Sequence, residues 1–310
     1  MRRSWTGYLY LIPIFVLIVG IFVWPFVNTV WYSFNRTAFG GSTDFIGLEN
    51  FQKLLDDKKF WPDGVRASAI WTVGNLLMQL VIPLFIALLL NERLKGISVV
   101  RAIILIPWLI PGVVVGVMTR WLFEPSLGAV NEILVRLHLE PVFIWLQGAI
   151  LDPIGITLFT DPPFIYLGQS AMAMLTLMAV NSWKFLPFGT LLLLAALQTI
   201  PVELYEAAKV DGASAFRRFM SITFPLLGGM IWFVGFIALL WNFNIFDLIW
   251  LTTKGGPGNS TLIAPALIYE LAFRKSNLGQ ASAVAVMAAA FLITLGVIYF
   301  AVLAPKEEQA

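Results

Sequence analysis

The sequence contains no cysteine and one histidine, His138, in 310 residues. Without cysteine there is no disulfide and no thiol nucleophile. A single histidine leaves no His/Cys/Asp/Glu cluster at metal-ligand spacing, so no metal site is expected, and His138 reads as a solvated loop residue. Charge is scarce too. Only 12% of residues are charged and 59% are hydrophobic, whereas soluble domains carry about 25% charged residues. Such a chain cannot cover a water-facing surface. A net charge of +2 gives no basis for a nucleic-acid partner. No Gly-x-x-x-x-Gly-Lys-Ser/Thr run is present, so no nucleotide loop of that type is expected.

What the chain has in quantity is long apolar runs. About 20 mostly apolar residues cross about 30 Å of hydrocarbon. Six runs qualify, at roughly 8–32, 68–91, 97–123, 166–194, 226–252 and 278–303. Only helices satisfy their backbone internally at this length, and the alternation of an outer-membrane barrel is missing. The expected fold is all-α: a polytopic membrane protein with six transmembrane helices in a single transmembrane domain over 1–310. The first run is too long for a signal-peptide core and lacks a small-residue cleavage site.

Arg2 and Arg3 ahead of the first run place the N-terminus inside. Six spans then bring both termini to the same, cytoplasmic side. The inner segments carry Arg2, Arg3, Arg93, Lys95, Arg101, Lys209, Arg217, Arg218 and Lys306. Their basic density is roughly double that of the outer segments, although Lys53, Lys58, Lys59, Arg274 and Lys275 lie outside.

Several spans are irregular. Pro107 and Pro111 remove backbone donors in span 3, which bends a helix either for packing or to line a pore. Span 4 holds Asn181-Ser182-Trp183-Lys184, and span 5 holds Trp241-Asn242-Phe243-Asn244-Ile245-Phe246-Asp247. Intramembrane Lys and Asp are costly and usually face a bundle interior or water. Lys184 and Asp247 can pair, or Lys184 can snorkel. Asn244 and Asp247, three apart, are expected on one helix face. Ala281 to Ala290 in span 6 permits close packing. A short helix is expected after Gly47 and another over 131–138.

The polar segment 196–225 holds most of the remaining pattern. Pro201 suits a first helical turn, and Glu203 and Glu206 are favoured there by the helix dipole. Leu204, Ala207 and Ala208 fall on one apolar side. Gly212 is placed to end the helix in a left-handed conformation, and a second short helix is expected over 213–220. Two short helices around a glycine elbow suit docking on a cytoplasmic partner better than lying on the bilayer.

The run Glu206-Ala207-Ala208, then Gly212, Ile222 and Phe224-Pro225, resembles the EAA loop of ABC importer permeases. That family has Leu where this chain has Phe224. Thr253-Lys254-Gly255-Gly256-Pro257, the segment Ile46 to Phe51, and Val180 to Trp183 resemble the maltose/maltodextrin-type sugar permeases, without the large periplasmic insertion of the maltose protein. The resemblance implies alternating-access import of a sugar, expected to be a di- or oligosaccharide. The implied partners are a second permease subunit, two ATP-binding cassette subunits, an extracytoplasmic solute-binding protein and membrane lipid. No cofactor is expected on this chain, and ATP and Mg belong to the partner ATPases. The resemblance implies ATPase contact through Glu203, Glu206, Ala207, Ala208, Asp211 and Gly212. It implies substrate contact through Trp108, Asn181, Trp183, Phe185, Asn242, Asn244, Phe246 and Asp247. Flat rings suit sugar C–H faces and amides suit hydroxyls.

Two other readings stand beside it. A secondary transporter calls for several intramembrane carboxylates or broken helices, and Asp247 stands alone. An intramembrane enzyme calls for a clustered acid, base or nucleophile, and none is evident. Glycerol phosphate or another polyol is an alternative cargo.

Overall fold

The computed structural model describes residues 10–37, 43–58, 60–92, 95–159 and 161–303. Arg2, Arg3, Lys59, Arg93 and Lys306, used above for orientation, lie outside them. The chain packs as two units, one within residues 1–62 and 267–293, the other within 63–266 and 294–310.

In the first unit, helix α1 (Ile12–Ser33) is a span by length and hydropathy. A two-stranded antiparallel ribbon follows, β1 (Asn35–Thr37) with β2 (Thr43–Phe45), in register Asn35 with Phe45. No strand was expected here. Helix α2 (Glu49–Asp56) comes after Gly47, whose φ of 59° supplies the expected turn. Asn50 is buried and donates to the carbonyls of Ser33 (2.9 Å) and Asn35 (2.8 Å), tying α2 to the end of α1. A Cβ on Gly279 would meet the Asn35 carbonyl oxygen. A hydrogen bond from Lys53, with the charges of Lys53 and Arg36, holds the Glu49 carboxyl below the usual carboxylate range.

The second unit begins with helix α3 (Phe60–Asn91, counted from its first turn), which starts earlier than the expected 68. Span 3 is not one helix. It is α4 (Ile97–Ile104), α5 (Ile106–Leu109) and α6 (Gly112–Leu122), and its two halves meet at 93°. Pro107 and Pro111 supply the physical reason. Ile110, forced out of the helical region ahead of Pro111, sits at ψ 126°. The stretch between spans 3 and 4, where only a short helix over 131–138 was expected, is folded as well, with α7 (Ala129–Arg136) and the segment that begins with α8 (Glu140–Leu146) bent 98° apart. Gln147 organises it, donating to Ile156 O (2.7 Å) and accepting from the amides of Leu158 (2.8 Å) and Phe159 (2.9 Å). Phe143, Phe159, Phe164 and Tyr166 close a small aromatic core over it.

Helix α9 (Ser170–Leu197) is span 4, and α10 (Val202–Val210) is the inter-span helix. The second short helix expected over 213–220 is only α11 (Ala215–Arg218). It runs on through a wide π turn, Phe219–Thr223, into α12 (Phe224–Asn244). The same wide turn precedes Trp24-Pro25 and Asp152-Pro153. A proline cannot bond the carbonyl four residues back and its ring collides with it, so a wider turn relieves both. Span 5 is broken again at Ile245 and Phe246, after which α13 (Asp247–Thr252) begins. Helix α14 (Ala264–Tyr269) precedes α15 (Leu278–Ile298), which continues as a π turn to Leu303. Among the described residues, five helices are long and apolar enough to cross a membrane; the bent α4–α6 segment coincides with the expected third span, and the bent pair that begins with α7 passes the same test, which brings the number to seven if both are spans.

Pro83 of α3 and Pro187 of α9 both lie inside helices. A Cβ on Gly189 would stand 3.1 Å from the Pro83 side chain, so the two helices cross closely there. Leu193, Leu194, Leu197, Leu227, Val234 and Ala238 form the apolar core below that crossing.

Candidate functional site

A knot of buried amides joins α3, α9 and α12. Asn75, Gln79, Asn181, Ser182 and Asn242 are all buried. Asn181 Nδ2 donates to Asn75 Oδ1 (2.8 Å) and to Asn242 Oδ1 (2.6 Å). Asn242 Nδ2 donates to Gln79 Oε1 (2.8 Å), and Trp71 Nε1 donates to Asn242 O (3.0 Å). Asn181 and Asn242, expected against sugar, thus spend these polar groups on one another and on α3. In a dry helix interface such amides act as interhelical glue.

Next to the knot lies a cluster of rings. Phe188 sits 4.8 Å from Trp241, 5.5 Å from Phe185 and 6.0 Å from Trp108, centroid to centroid. Trp108 and Trp241 keep nearly half of their surface open, while Phe185 is buried as the base of the cluster. Phe188 and Trp241 escaped the sequence reading. Phe188 follows Phe185 by three on the same helix, and that spacing was the available signal.

The break in span 5 changes the expected relation of Asn244 and Asp247. They do not share a continuous helix face, because Ile245 at ψ 127° separates them. Asn244 is exposed and turns its amide back to Leu240 O (2.7 Å). Phe246 stacks on Trp250 at 5.7 Å. Asp247 is exposed and opens α13, where a carboxylate is favoured.

Helix α13 packs on α6 through two glycines. A Cβ on Gly116 would stand 3.0 Å from Leu251 Cβ and 3.2 Å from Asp247 O. A Cβ on Gly112 would stand 3.2 Å from Asp247 Oδ2 and 3.3 Å from Lys184 Nζ. The Gly112-x-x-x-Gly116 spacing was legible as a close-packing signal but was not used. The ion pairs among the described residues are Arg36–Glu49, Lys53–Glu49, Arg136–Glu132 and Arg274–Glu270, so Lys184 and Asp247 approach without joining.

Trp183 faces elsewhere. It lines a groove of about 320 Å³ with Ile110, Val115, Met118, Leu122 and Phe123. Thr119 is the one hydroxyl there, and it donates to Val115 O (2.7 Å). This wall suits an acyl chain or a neighbouring helix better than a sugar. A second cavity of about 500 Å³ is lined by Asp63, Arg66, Ser170, Asn259 and Ser260 among aliphatic residues.

On α10 the glycine elbow is as expected. Gly212 has φ 75°, its amide donates to Lys209 O (3.0 Å), and Ala213 N donates to Ala208 O (2.9 Å). That pair of bonds is a Schellman cap. Glu203 is in the first turn, but Glu206 lies a turn further on, beyond the strongest dipole field. Tyr205 bonds Thr223 Oγ1 (2.9 Å) and fixes the inward side, with Ala208 half-buried beside it. Leu204 and Ala207 stay exposed, as do Val202, Val210 and Phe216. The expected apolar face is therefore rotated so that Ala208 belongs to the inner side. Asp211 is exposed at the C-cap.

The arrangement is that of a polytopic helical membrane protein, with one span bent by 93°, a cluster of half-open rings beside the amide knot, and an exposed short helix between two spans. The chain belongs to the family described as binding-protein-dependent transport system inner membrane component, whose model matches residues 79–308. It is 33% identical to the trehalose/maltose transport system permease protein MalF of Thermococcus litoralis, over 97% of this chain and 94% of that one. It is 29% identical to the sn-glycerol-3-phosphate transport system permease protein UgpA of Pectobacterium atrosepticum, over 96% and 94%. A chain of a bacterial ABC transporter involved in the import of the acidic polysaccharide alginate shares the fold, with a TM-score of 0.76 at 22% identity over 97% of both chains.

Proposed function

We propose that this chain is one of two permease subunits of an ABC importer that carries a di- or oligosaccharide into the cytoplasm by alternating access. The observation that carries this reading is the exposed, glycine-capped helix α10, on a chain that also holds a cluster of half-open rings at Trp108 and Trp241. The site consists of Trp108, Phe185, Phe188 and Trp241, with Asn244, Phe246, Lys184 and Asp247 at its charged end. Trp183 lies on the neighbouring groove, and Asn181 and Asn242 hold the frame. Rings stack on sugar C–H faces while amide and carboxylate groups meet hydroxyls.

Helix α10 docks in the cytoplasm on an ATP-binding cassette subunit through Glu203, Glu206, Ala207, Asp211 and Gly212, with Ala208 behind them. ATP and Mg are held by two such subunits. A solute-binding protein outside delivers the sugar, a second permease completes the path, and both ends of the chain are cytoplasmic. Half-spans α6 and α13 then move as rigid bodies between inward and outward states.

Reconstitution tests the reading. In proteoliposomes, uptake of trehalose or maltose is expected only with ATP, the ATPases and the binding protein together. Uptake by this chain alone, driven by an ion gradient, would establish a secondary transporter instead. Asn244→Leu is expected to lower uptake by about tenfold or more, because it leaves sugar hydroxyls unpaired.

A further inference from the structure

Two opposite charges from different elements converge on one glycine. Lys184 comes from α9 and Asp247 from the first turn of α13, and both tips reach within 3.3 Å of the point where a Gly112 side chain would start. Lys184 is half-buried, Asp247 is exposed, and no salt bridge joins them to each other or to any described neighbour. A side chain on Gly112 would crowd both tips, so the glycine is what lets the two charges approach over the same point. The four-ring cluster involves Phe185, adjacent to Lys184 on α9, and Trp241, six residues before Asp247.

We propose that Lys184 and Asp247 form a charge-balanced slot across Gly112 that selects an electrically neutral polyhydroxy solute and rejects anionic ones. The proposal rests on the saccharide reading above and narrows its substrate class. A neutral sugar can accept from the Lys184 ammonium and donate to the Asp247 carboxylate at once. An anionic solute that meets Lys184 sets its own charge against Asp247, and like charges in a partly dry site repel. Neither protein charge is by itself the selecting element. The net charge of the pair is.

This logic makes an unusual demand on a mutant set. Lys184→Gln leaves a net negative slot and Asp247→Asn a net positive one, and each is expected to lower trehalose uptake by about tenfold, the effect of about 1.4 kcal/mol. Lys184→Gln with Asp247→Asn restores neutrality, and uptake is expected to return to within about threefold of the parent. Asp247→Asn alone is also expected to let sn-glycerol 3-phosphate compete with trehalose. The assay uses the full transporter with its binding protein in proteoliposomes, and ATPase activity without binding protein reports assembly.

A double variant no better than the worse single one overturns charge balance while leaving saccharide import intact. So does parent-like exclusion of sn-glycerol 3-phosphate by Asp247→Asn. If the parent imports sn-glycerol 3-phosphate and neither trehalose nor maltose, the neutral class is wrong. If it imports none of the three, the saccharide reading falls and the slot falls with it.

Discussion

Asn242→Ala separates a framework role from a substrate role at the centre of the protein. The side chain accepts from Asn181 Nδ2 at 2.6 Å and from Gln79 Nε2 at 3.3 Å, and donates to Gln79 Oε1 at 2.8 Å. Interhelical hydrogen bonds in membrane bundles average about 0.6 kcal/mol, so the three lost bonds come to about 2 kcal/mol. The partners stay buried, Gln79 at 1% and Asn181 at 7% relative exposure. Each unsatisfied group there costs about 1–3 kcal/mol if no water enters. The expected destabilisation is therefore about 2 kcal/mol if water replaces the lost partner and about 3–5 kcal/mol if the Gln79 carbonyl stays unsatisfied. It is measured by titrating the purified protein with denaturing detergent and following helix content, with Asn244→Ala as the comparison. Asn244 bonds only its own helix, at Leu240 O, so its variant should unfold with the parent. If Asn242→Ala unfolds with the parent but loses uptake, the amide knot is a binding site and the framework argument is wrong.

Gly116→Leu is expected to pry α13 from α6, since even a Cβ meets Leu251 at 3.0 Å. Overpacking of this kind costs about 1–3 kcal/mol, and an unchanged melting profile would contradict the close approach. Gly212→Pro should abolish coupling of ATP hydrolysis to uptake, because a φ of 75° is closed to proline. Glu206→Lys should act through the docked partner rather than the dipole, and the check for both is ATPase activity against uptake in one preparation. Ser214→Cys should react only from the cytoplasm and Lys254→Cys only from outside, both in the natural cysteine-free background. Lys254 is the better reporter than Ser260, whose hydroxyl is buried. Labelling of Ser214→Cys from outside would reverse the orientation.

The helices and the family were legible because their signals are local. Apolar length marks a span, and Glu206 to Pro225 keeps its spacing whatever packs around it. Gly212 needed only its position after a short amphipathic run. The division of labour among the asparagines was not legible. Asn181, Asn242 and Asn244 look alike in sequence, and only the meeting of α3, α9 and α12 buries two of them and exposes the third. Nor was the break at Ile245 visible, since Asn244-Ile245-Phe246 carries neither proline nor glycine. It is a tertiary choice, made where α13 gains its seat on Gly112 and Gly116. The π turns were half-visible: proline marked the places but not the form of relief.

The amide knot also sets a schedule for biosynthesis. Helix α3 carries Asn75 and Gln79, whose partners are made much later: Asn181 is 106 residues after Asn75, and Asn242 is 163 after Gln79. A ribosome adding about 5–20 residues per second needs several seconds to deliver them. Through that interval the two amides have only partners on their own helix, Asn75 Nδ2 donating to Trp71 O (2.9 Å) and Gln79 Nε2 to Asn75 Oδ1 (3.4 Å). Helix α1 waits on no such partner along its apolar window, none of which is buried in the folded chain. The placing of the asparagines thus ties the completion of α3's packing to spans made much later in the chain, and Asn75→Ala is expected to loosen the assembled bundle.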